Sequence, residues 1–133
     1  MITLRHAIAI SAPRAKVYAA LTELPHLSKW HEGKMSGECA VGKTVTWTPR
    51  AGLKFAWRFD ELKPGALIAR TAVEGPGNTV GKKLTIKLGD LPDGRTEVSL
   101  TDGEFSKDDP HLAYCNTYWG GVLQRLKSYA EKS

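Results

Sequence analysis

The stretch from Asp109 to Glu131 constrains the fold more than any other, because its apolar residues recur at steps of three and four. The residues with this spacing are Leu112, Cys115, Trp119, Val122, Leu126 and Tyr129. Wound at 3.6 residues per turn, they form one narrow apolar seam along a helix. Asp109 and Pro110 predict its start, since Asp caps free backbone N–H groups and Pro loses nothing at the first helical position. A helix of roughly 20 residues is about 30 Å long, so another layer of structure must cover the seam.

The length and composition predict one globular domain over residues 1–133. The chain is 41% hydrophobic and 25% charged, which favours neither disorder nor a membrane class. The sequence contains no run of about 18 apolar residues, so we expect no membrane span. Its start alternates like a strand, so we expect no signal peptide. The net charge of +5 is scattered, so nucleic acid is not an expected partner. Cys39 and Cys115 lack metal or redox spacing, which predicts a reducing, cytoplasmic location.

The N-terminal third predicts one strand followed by two short helices. Apolar residues at even positions of 2–10 alternate with others, so the even face should turn inward. His6 lies on that face, and we expect a core histidine with satisfied hydrogen bonds rather than a ligand-binding one. Pro13 begins a helix, and Pro25 interrupts it and begins a second that runs to about Trp30. His31 and its neighbours do not match the His-Glu-x-x-His pattern, so we expect no metal site.

From Gly37 onward the apolar period changes to two, which predicts further strands. They cover residues 44–48, 53–60, 66–74, 83–88 and 96–100. Strands joined by short turns pair antiparallel as a meander. Pro92–Gly94 predicts a three-residue hairpin loop, and Asp102–Gly103 a bulge or strand end. The sequence does not decide which face of the strand at 66–74 turns inward, because the alternating residues that begin with Leu67 and those that begin with Ile68 both include apolar side chains.

The element order predicts an α+β fold. We expect a curved antiparallel sheet of about six to seven strands, wrapped around a long C-terminal helix. Two short helices should lie between the first and second strands. A sheet curled around a helix leaves a space wherever the side chains of the two layers cannot meet.

Three stretches, 10–22, 27–30 and 118–129, resemble the START-like superfamily, also called SRPBCC, whose members share the helix-grip fold. The chain looks most like the branch related to the C-terminal domain of the activator of the heat-shock-protein-90 ATPase. Relatives commonly hold an apolar small molecule between the long helix and the sheet. The resemblance implies a cavity lined by Trp57, Phe59, Tyr118 and Trp119, with Trp30 near its mouth and Phe105 near the loop that closes it. Many members carry a Trp where this chain has Arg70–Thr71, which implies a more polar pocket.

Binding of a small apolar or amphipathic molecule, lipid-like or aromatic, is the first functional hypothesis. Ligand pockets are mostly apolar with a few polar anchors, and the candidate anchors are His6, Arg70, Tyr114 and Tyr118. We expect no cofactor. The alternative is a cyclase- or hydrolase-like enzyme with an acid or base in the cavity. His6 is its first candidate and Glu61 the second, but no nucleophile–base spacing is recognisable. We therefore assign no catalytic residue and favour a non-enzyme.

A protein-interaction module is the third hypothesis, with a chaperone partner suggested by family analogy only. Gly120 and Gly121 lie off the apolar seam of the long helix, although glycine costs about 1 kcal/mol there against alanine. They allow a close approach either by the short helices under the bend at Pro25 or by a second subunit in a homodimer. We favour the packing under Pro25.

Overall fold

In a computed structural model, described for residues 1–132, the chain forms a seven-stranded antiparallel sheet and three helices. The elements in chain order are β1 (Ile2–Ile10), α1 (Arg14–Thr22), α2 (Leu24–Trp30), β2 (Lys34–Gly37), β3 (Thr44–Arg50), β4 (Leu53–Lys63), β5 (Leu67–Glu74), β6 (Lys83–Asp90), β7 (Thr96–Phe105) and α3 (Leu112–Lys132). The strand order is β1-β7-β6-β5-β4-β3-β2, so β2 to β7 form a meander and β1 pairs with β7. The predicted α+β helix-grip architecture is confirmed.

Helix α3 begins later than its sequence predicts. Its first residue is Leu112, whereas Asp109 and Pro110 form a turn before it. The Asp109 carboxylate accepts a hydrogen bond from the His111 backbone N–H at 2.9 Å, and the Asp109 carbonyl accepts one from the Leu112 N–H at 3.1 Å. Residues 109–112 therefore form a tight turn that precedes the helix. The Asp109 side chain accepts from a backbone N–H that would otherwise have no partner at the start of the helix.

The two halves of α3 meet the rest of the fold differently. In the C-terminal half, Val122, Leu123, Leu126 and Ala130 are buried. The Lys127 ammonium donates to the Ala9 carbonyl at 2.7 Å, which ties this half to β1. In the N-terminal half, Leu112 and Cys115 are only partly buried. The helix is therefore held tightly at one end and spans open space at the other.

Cross-strand pairing fixes which side chains face α3. The hairpin between β6 and β7 has a loop of residues 92–94, as predicted, with Gly94 at φ 87°. Gly94 suits that turn because glycine adopts positive φ without a Cβ clash.

A register shift opposite β1 between Ile2 and Leu4 confirms the bulge predicted near Gly103. The even-numbered residues of β5 face inward, and these include Arg70.

The edge strand β2, Lys34–Gly37, is additional to the predicted strands and precedes the one predicted at 44–48. Among residues 1–132 no helix has the length and apolarity needed to cross a membrane.

Candidate functional site

A cavity of about 640 Å³ lies between the N-terminal half of α3 and the inner face of β3, β4 and β5. The segment between β5 and β6 and the end of β7 form the rest of its wall. The lining residues are Trp47, Pro49, Arg50, Leu53, Phe55, Trp57, Ala72, Pro76, Asn78, Thr79, Lys82, Asp102, Phe105, Asp109, His111, Tyr114, Cys115, Tyr118 and Trp119. The volume lies within the range of small-molecule sites, about 300–1,000 Å³. A smaller cavity of about 330 Å³ adjoins it at Leu53 and Pro76 and has no aromatic lining.

An aromatic cluster forms the wall of the cavity. The Trp47 ring stacks against Phe55 and Tyr118, with centroid distances of 5.1 and 4.8 Å. Trp119 meets Tyr118 edge-on at 4.9 Å and lies 6.4 Å from Trp57. Stacked and edge-to-face pairs are stabilising beyond the area that they bury. The rings therefore support one another in an apolar wall rather than filling the space beneath α3.

Charged side chains form one polar end of the cavity. The Trp119 indole N–H donates to Asp102 Oδ2 at 2.8 Å. Lys82 Nζ lies 3.7 Å from the Asp109 carboxylate and 4.6 Å from the centroid of the Phe105 ring. The side chains of Asp102 and Asp109 are buried. The cavity thus combines a large apolar surface with a few oriented polar groups, as ligand sites do.

A neutral histidine supports the edge of the aromatic wall. His31 Nδ1 lies 3.0 Å from the Glu32 carbonyl oxygen, and Nε2 lies 3.2 Å from the Tyr118 hydroxyl. Because a carbonyl can only accept, we assign the proton to Nδ1, so Nε2 accepts from Tyr118. Burial lowers the pKa of His31 to about 4, and burial raises the pKa of Tyr118. Both groups are therefore neutral near neutral pH and hold one hydrogen-bond pattern.

The titratable groups of the lining show what chemistry the cavity supports. Burial raises the pKa of Cys115 to about 11, so its thiol stays protonated near neutral pH and is a poor nucleophile. Burial also raises the pKa of Asp102, against the effects of the Trp119 hydrogen bond and of nearby Lys82 and Arg70. Asp102 is therefore a buried acid at the polar end of the cavity.

Several residues predicted to bind a ligand do line the cavity: Trp57, Phe105, Tyr114, Tyr118 and Trp119. Tyr114 is 77% exposed and lies at the mouth. The other predicted residues lie outside the lining: His6, Trp30, Phe59 and Arg70.

Trp30 and Phe59 belong to the core instead, because both are buried there. The Trp30 indole N–H donates to the Ala20 carbonyl at 2.8 Å, which fastens α2 to α1. Its predicted place near the mouth is therefore wrong. His6 lies on β1, and its buried Nε2 has no hydrogen-bond partner. The expectation that the hydrogen bonds of His6 are satisfied is wrong for this nitrogen. Arg70 lies behind Trp57, with its guanidinium carbon 4.4 Å from the ring centroid.

Two further expectations are corrected by the backbone. A register shift between Phe59 and Glu61 turns Glu61 outward, where it pairs with Lys63 at 3.5 Å. Glu61 is therefore not an acid of the cavity. A Cβ added to Gly120 would meet nothing within 4 Å among residues 1–132. The glycine therefore does not pack under the bend at Pro25, since α2 does not approach it closely enough.

Asp102 and Lys82 are lining residues that the sequence did not identify. The signal for Asp102 was available, because it continues the inward even positions of Val98 and Leu100 on β7. Lys82 precedes β6 in an irregular segment, where no periodicity indicates facing. Trp47 and Phe55 belong to the predicted strands 44–48 and 53–60, but alternation cannot separate a cavity wall from a packed core.

Comparisons with known proteins agree with this geometry. The family model described as "Activator of Hsp90 ATPase homolog 1-like protein" matches residues 11–131. A solution structure of the Aha1 dimer from Colwellia psychrerythraea is 27% identical, with a TM-score of 0.88, and the match covers 98% of this chain and 97% of that one. A crystal structure of a Mesorhizobium loti protein is 19% identical, with a TM-score of 0.86 and 99% and 98% covered.

A third similar structure is that of an HSP90 activator from Plasmodium falciparum. It is 12% identical with a TM-score of 0.80, and the match covers 96% of this chain and 95% of that one. A search of curated proteins by sequence finds no match.

Proposed function

Because the chain belongs to the Activator of Hsp90 ATPase homolog 1-like family, a branch of the START-like superfamily, we propose that it binds a small apolar or amphipathic molecule, lipid-like or aromatic. The molecule would occupy the cavity between α3 and the sheet. The observation that carries this proposal is the cavity of about 640 Å³ walled by aromatic rings. Apolar surface exposed to water in such a space is released from water when a ligand covers it.

The lining suits an amphipathic ligand better than a wholly polar one. Trp57, Tyr118 and Trp119 offer ring faces and edges, while Asp102 and Lys82 offer oriented polar atoms at one end. A ligand body that covers the rings gains about 25 cal/mol per Å² of apolar area removed from water. A polar head at the end occupied by Asp102 and Lys82 would set its direction.

Two variants of one strand test this proposal. Ala72 lines the cavity from the inner face of β5, so Ala72→Phe places a ring in the space. Ala69 lies on the opposite face of the same strand, so Ala69→Phe is the matched control. Thermal unfolding is measured for each protein against a panel of fatty acids, alcohols and aromatic molecules. Ligand at a hundredfold its dissociation constant should add about 2.7 kcal/mol to the wild type and to the control.

Ala72→Phe should lose that stabilisation while remaining folded. Mass spectrometry of molecules that copurify with the native protein supplies the ligand identity. If no member of the panel stabilises the wild type and nothing copurifies, the cavity is not a binding site. Equal stabilisation of Ala72→Phe and the wild type would place the ligand elsewhere.

We propose, second, that the protein interacts with a heat-shock-protein-90 chaperone and that it forms a homodimer. Family membership and the 27% identity to a protein solved as an Aha1 dimer support it. The surface of α3 at Gly120 is free of neighbouring atoms within residues 1–132, which leaves room for a second subunit there. Light scattering of the wild type and of Gly120→Arg tests the homodimer by measuring the mass of each protein. The ATPase rate of a purified chaperone, measured with and without the protein, tests the chaperone interaction. A monomeric wild type excludes the dimer, and an unchanged ATPase rate argues against the chaperone role.

A reaction is the least supported function. His6 lies outside the cavity lining, and Glu61 faces outward. A cyclase or hydrolase of this cavity could use Asp102 or Asp109, the two buried carboxyl groups of the lining. Turnover of a cyclisable or hydrolysable substrate that is lost in Asp102→Asn would support an enzyme.

A further inference from the structure

Arg70 is a cation placed in the interior of the fold. It lies on the inner face of β5, between Phe59 of β4 and Leu84 of β6 in the strand register. Only 8% of the residue is exposed. Burial lowers its pKa to about 10, so the guanidinium still carries its charge near neutral pH.

The guanidinium forms no ion pair or hydrogen bond within residues 1–132, although the nearby Asp102 carboxyl acts on it electrostatically. Its Nε is buried without a hydrogen-bond partner, and the ion pairs found within residues 1–132 do not include Arg70. Its closest described aromatic contact is the neutral ring of Trp57, 4.4 Å away. A buried charge without a partner is costly, because it loses its hydration and gains no compensating bond. A buried unsatisfied group needs a physical explanation, and a bound ion or ligand is one.

One side-chain layer separates Arg70 from the cavity. Trp57, which rests against the guanidinium, is itself part of the cavity wall. Ala72 follows two residues later on the same face of β5 and also lines the cavity. Across the sheet, Leu84 pairs with both Arg70 and Asp102, and Asp102 lines the polar end. A ligand head group would have to displace the Trp57 indole to reach the guanidinium.

The charged groups of the lining form no ion pair with Arg70. Lys82 and Asp109 form a pair with each other, and the Asp102 carboxylate is hydrogen-bonded by the Trp119 indole. Arg70 is thus the interior charge with neither a hydrogen bond nor an ion pair in the part of the chain described. The overall charge of +5 also favours the approach of anions.

We infer that the ligand is an anionic amphiphile, with a carboxylate-like head that binds Arg70 and an apolar body that covers the aromatic wall. The planar guanidinium matches a carboxylate, because two parallel N–H groups can donate to its two oxygens. This inference rests on the proposed binding function and specifies the ligand class of the same cavity.

Probes with identical tails test the head group. Dodecanoate, dodecanol and dodecyltrimethylammonium are titrated calorimetrically into the wild type, Arg70→Met and Asp102→Asn, with the charged probes below their micelle concentrations and dodecanol below its solubility limit. The wild type should bind dodecanoate at least about tenfold more tightly than dodecanol, the difference expected for hydrogen bonds to a charged group. Arg70→Met should lose this preference while still binding dodecanol. Asp102→Asn keeps an acceptor for the Trp119 indole and removes a negative charge, so its affinity for dodecanoate should rise.

A second readout does not depend on any ligand. Arg70→Met replaces an unpartnered buried cation by an apolar chain of similar length, so the free protein should become more thermally stable. Arg70→Lys retains the charge without the planar fork and should keep only part of the preference for dodecanoate.

The outcomes separate this inference from the function on which it rests. Equal affinity of the wild type for dodecanoate and dodecanol would overturn the anionic head and leave the binding function standing. Preference for the ammonium probe, lost in Asp102→Asn, would overturn it in favour of a cationic head. A less stable Arg70→Met with unchanged preference would assign Arg70 to the structure alone. If the folded wild type binds none of the three probes, the proposed binding function itself fails.

Discussion

Acid should destabilise this protein through the protonation of His31. The imidazole is wedged against Trp30 and Trp47, with ring centroids 5.2 and 5.3 Å away. Its Nδ1 lies 3.0 Å from the Glu32 carbonyl and its Nε2 accepts from the Tyr118 hydroxyl. A second proton on Nε2 would displace the Tyr118 donor and place a charge in an apolar site. The folded state therefore resists protonation.

The size of the effect follows from the difference between the folded and unfolded pKa. The unfolded chain takes up this proton near 6.5, whereas burial lowers the pKa of the folded state to about 4. Between these values the unfolded state holds more protons, so the free energy of unfolding falls as the pH falls. One pKa unit corresponds to about 1.4 kcal/mol, so the whole difference is about 3 kcal/mol. Between about pH 7 and about pH 4.5, the loss is about 2 kcal/mol.

Urea unfolding across that pH range measures the loss. His31→Gln retains an oxygen that can accept from Tyr118 and removes the titration, so its loss should be smaller than that of the wild type by about 2 kcal/mol. His26→Gln removes an imidazole that is 39% exposed, and it should keep the loss caused by His31. Burial raises the pKa of Asp102, so protonation of this group in acid favours the folded state. This contribution is common to all three proteins and cancels in the comparison. An equal loss in the wild type and His31→Gln would refute the reasoning.

Three further substitutions test the packing around the cavity by urea unfolding at neutral pH. Leu126→Ala removes a fully buried side chain of α3 and should cost about 2–5 kcal/mol. A cost below 1 kcal/mol would show that α3 is not packed there. Thr96→Val removes a buried hydroxyl that donates to the Ala12 carbonyl at 2.6 Å, and the unsatisfied carbonyl should cost about 1–3 kcal/mol. Trp119→Phe removes the indole N–H donor at 2.8 Å from Asp102 and should cost about 1–3 kcal/mol. That cost should shrink in the Asp102→Asn background, and equal costs in both backgrounds would contradict the coupling.

The candidate site could be predicted only in part, and its residues show why. Trp57, Tyr118 and Trp119 were assigned to the cavity through the family resemblance, and all three line it. Phe59 was assigned in the same way but is fully buried in the core. Trp57 and Phe59 have the same parity on β4, so alternation alone cannot distinguish them. Trp57 lies 6.4 Å from Trp119 of α3 and lines the cavity, whereas Phe59 packs in the core, and this difference arises only when the sheet and the helix assemble.

The sequence by itself determined the elements whose signals are local. The seam of α3, the helix break at Pro25 and the three-residue loop ending at Gly94 all follow from spacing within a few residues, because backbone geometry sets those periods. The antiparallel meander follows in turn, since short connections leave strands few other partners.

Only the tertiary structure decided the facing of β5 and the burial of Arg70. Both faces of that strand carry apolar residues, so the choice depends on the pairing with β4 and β6. Register shifts in β4 turn Glu61 outward while Phe59 and Arg70 stay inside. Pairing between distant segments is selected by the total area that they bury together, and no short stretch of sequence records that sum.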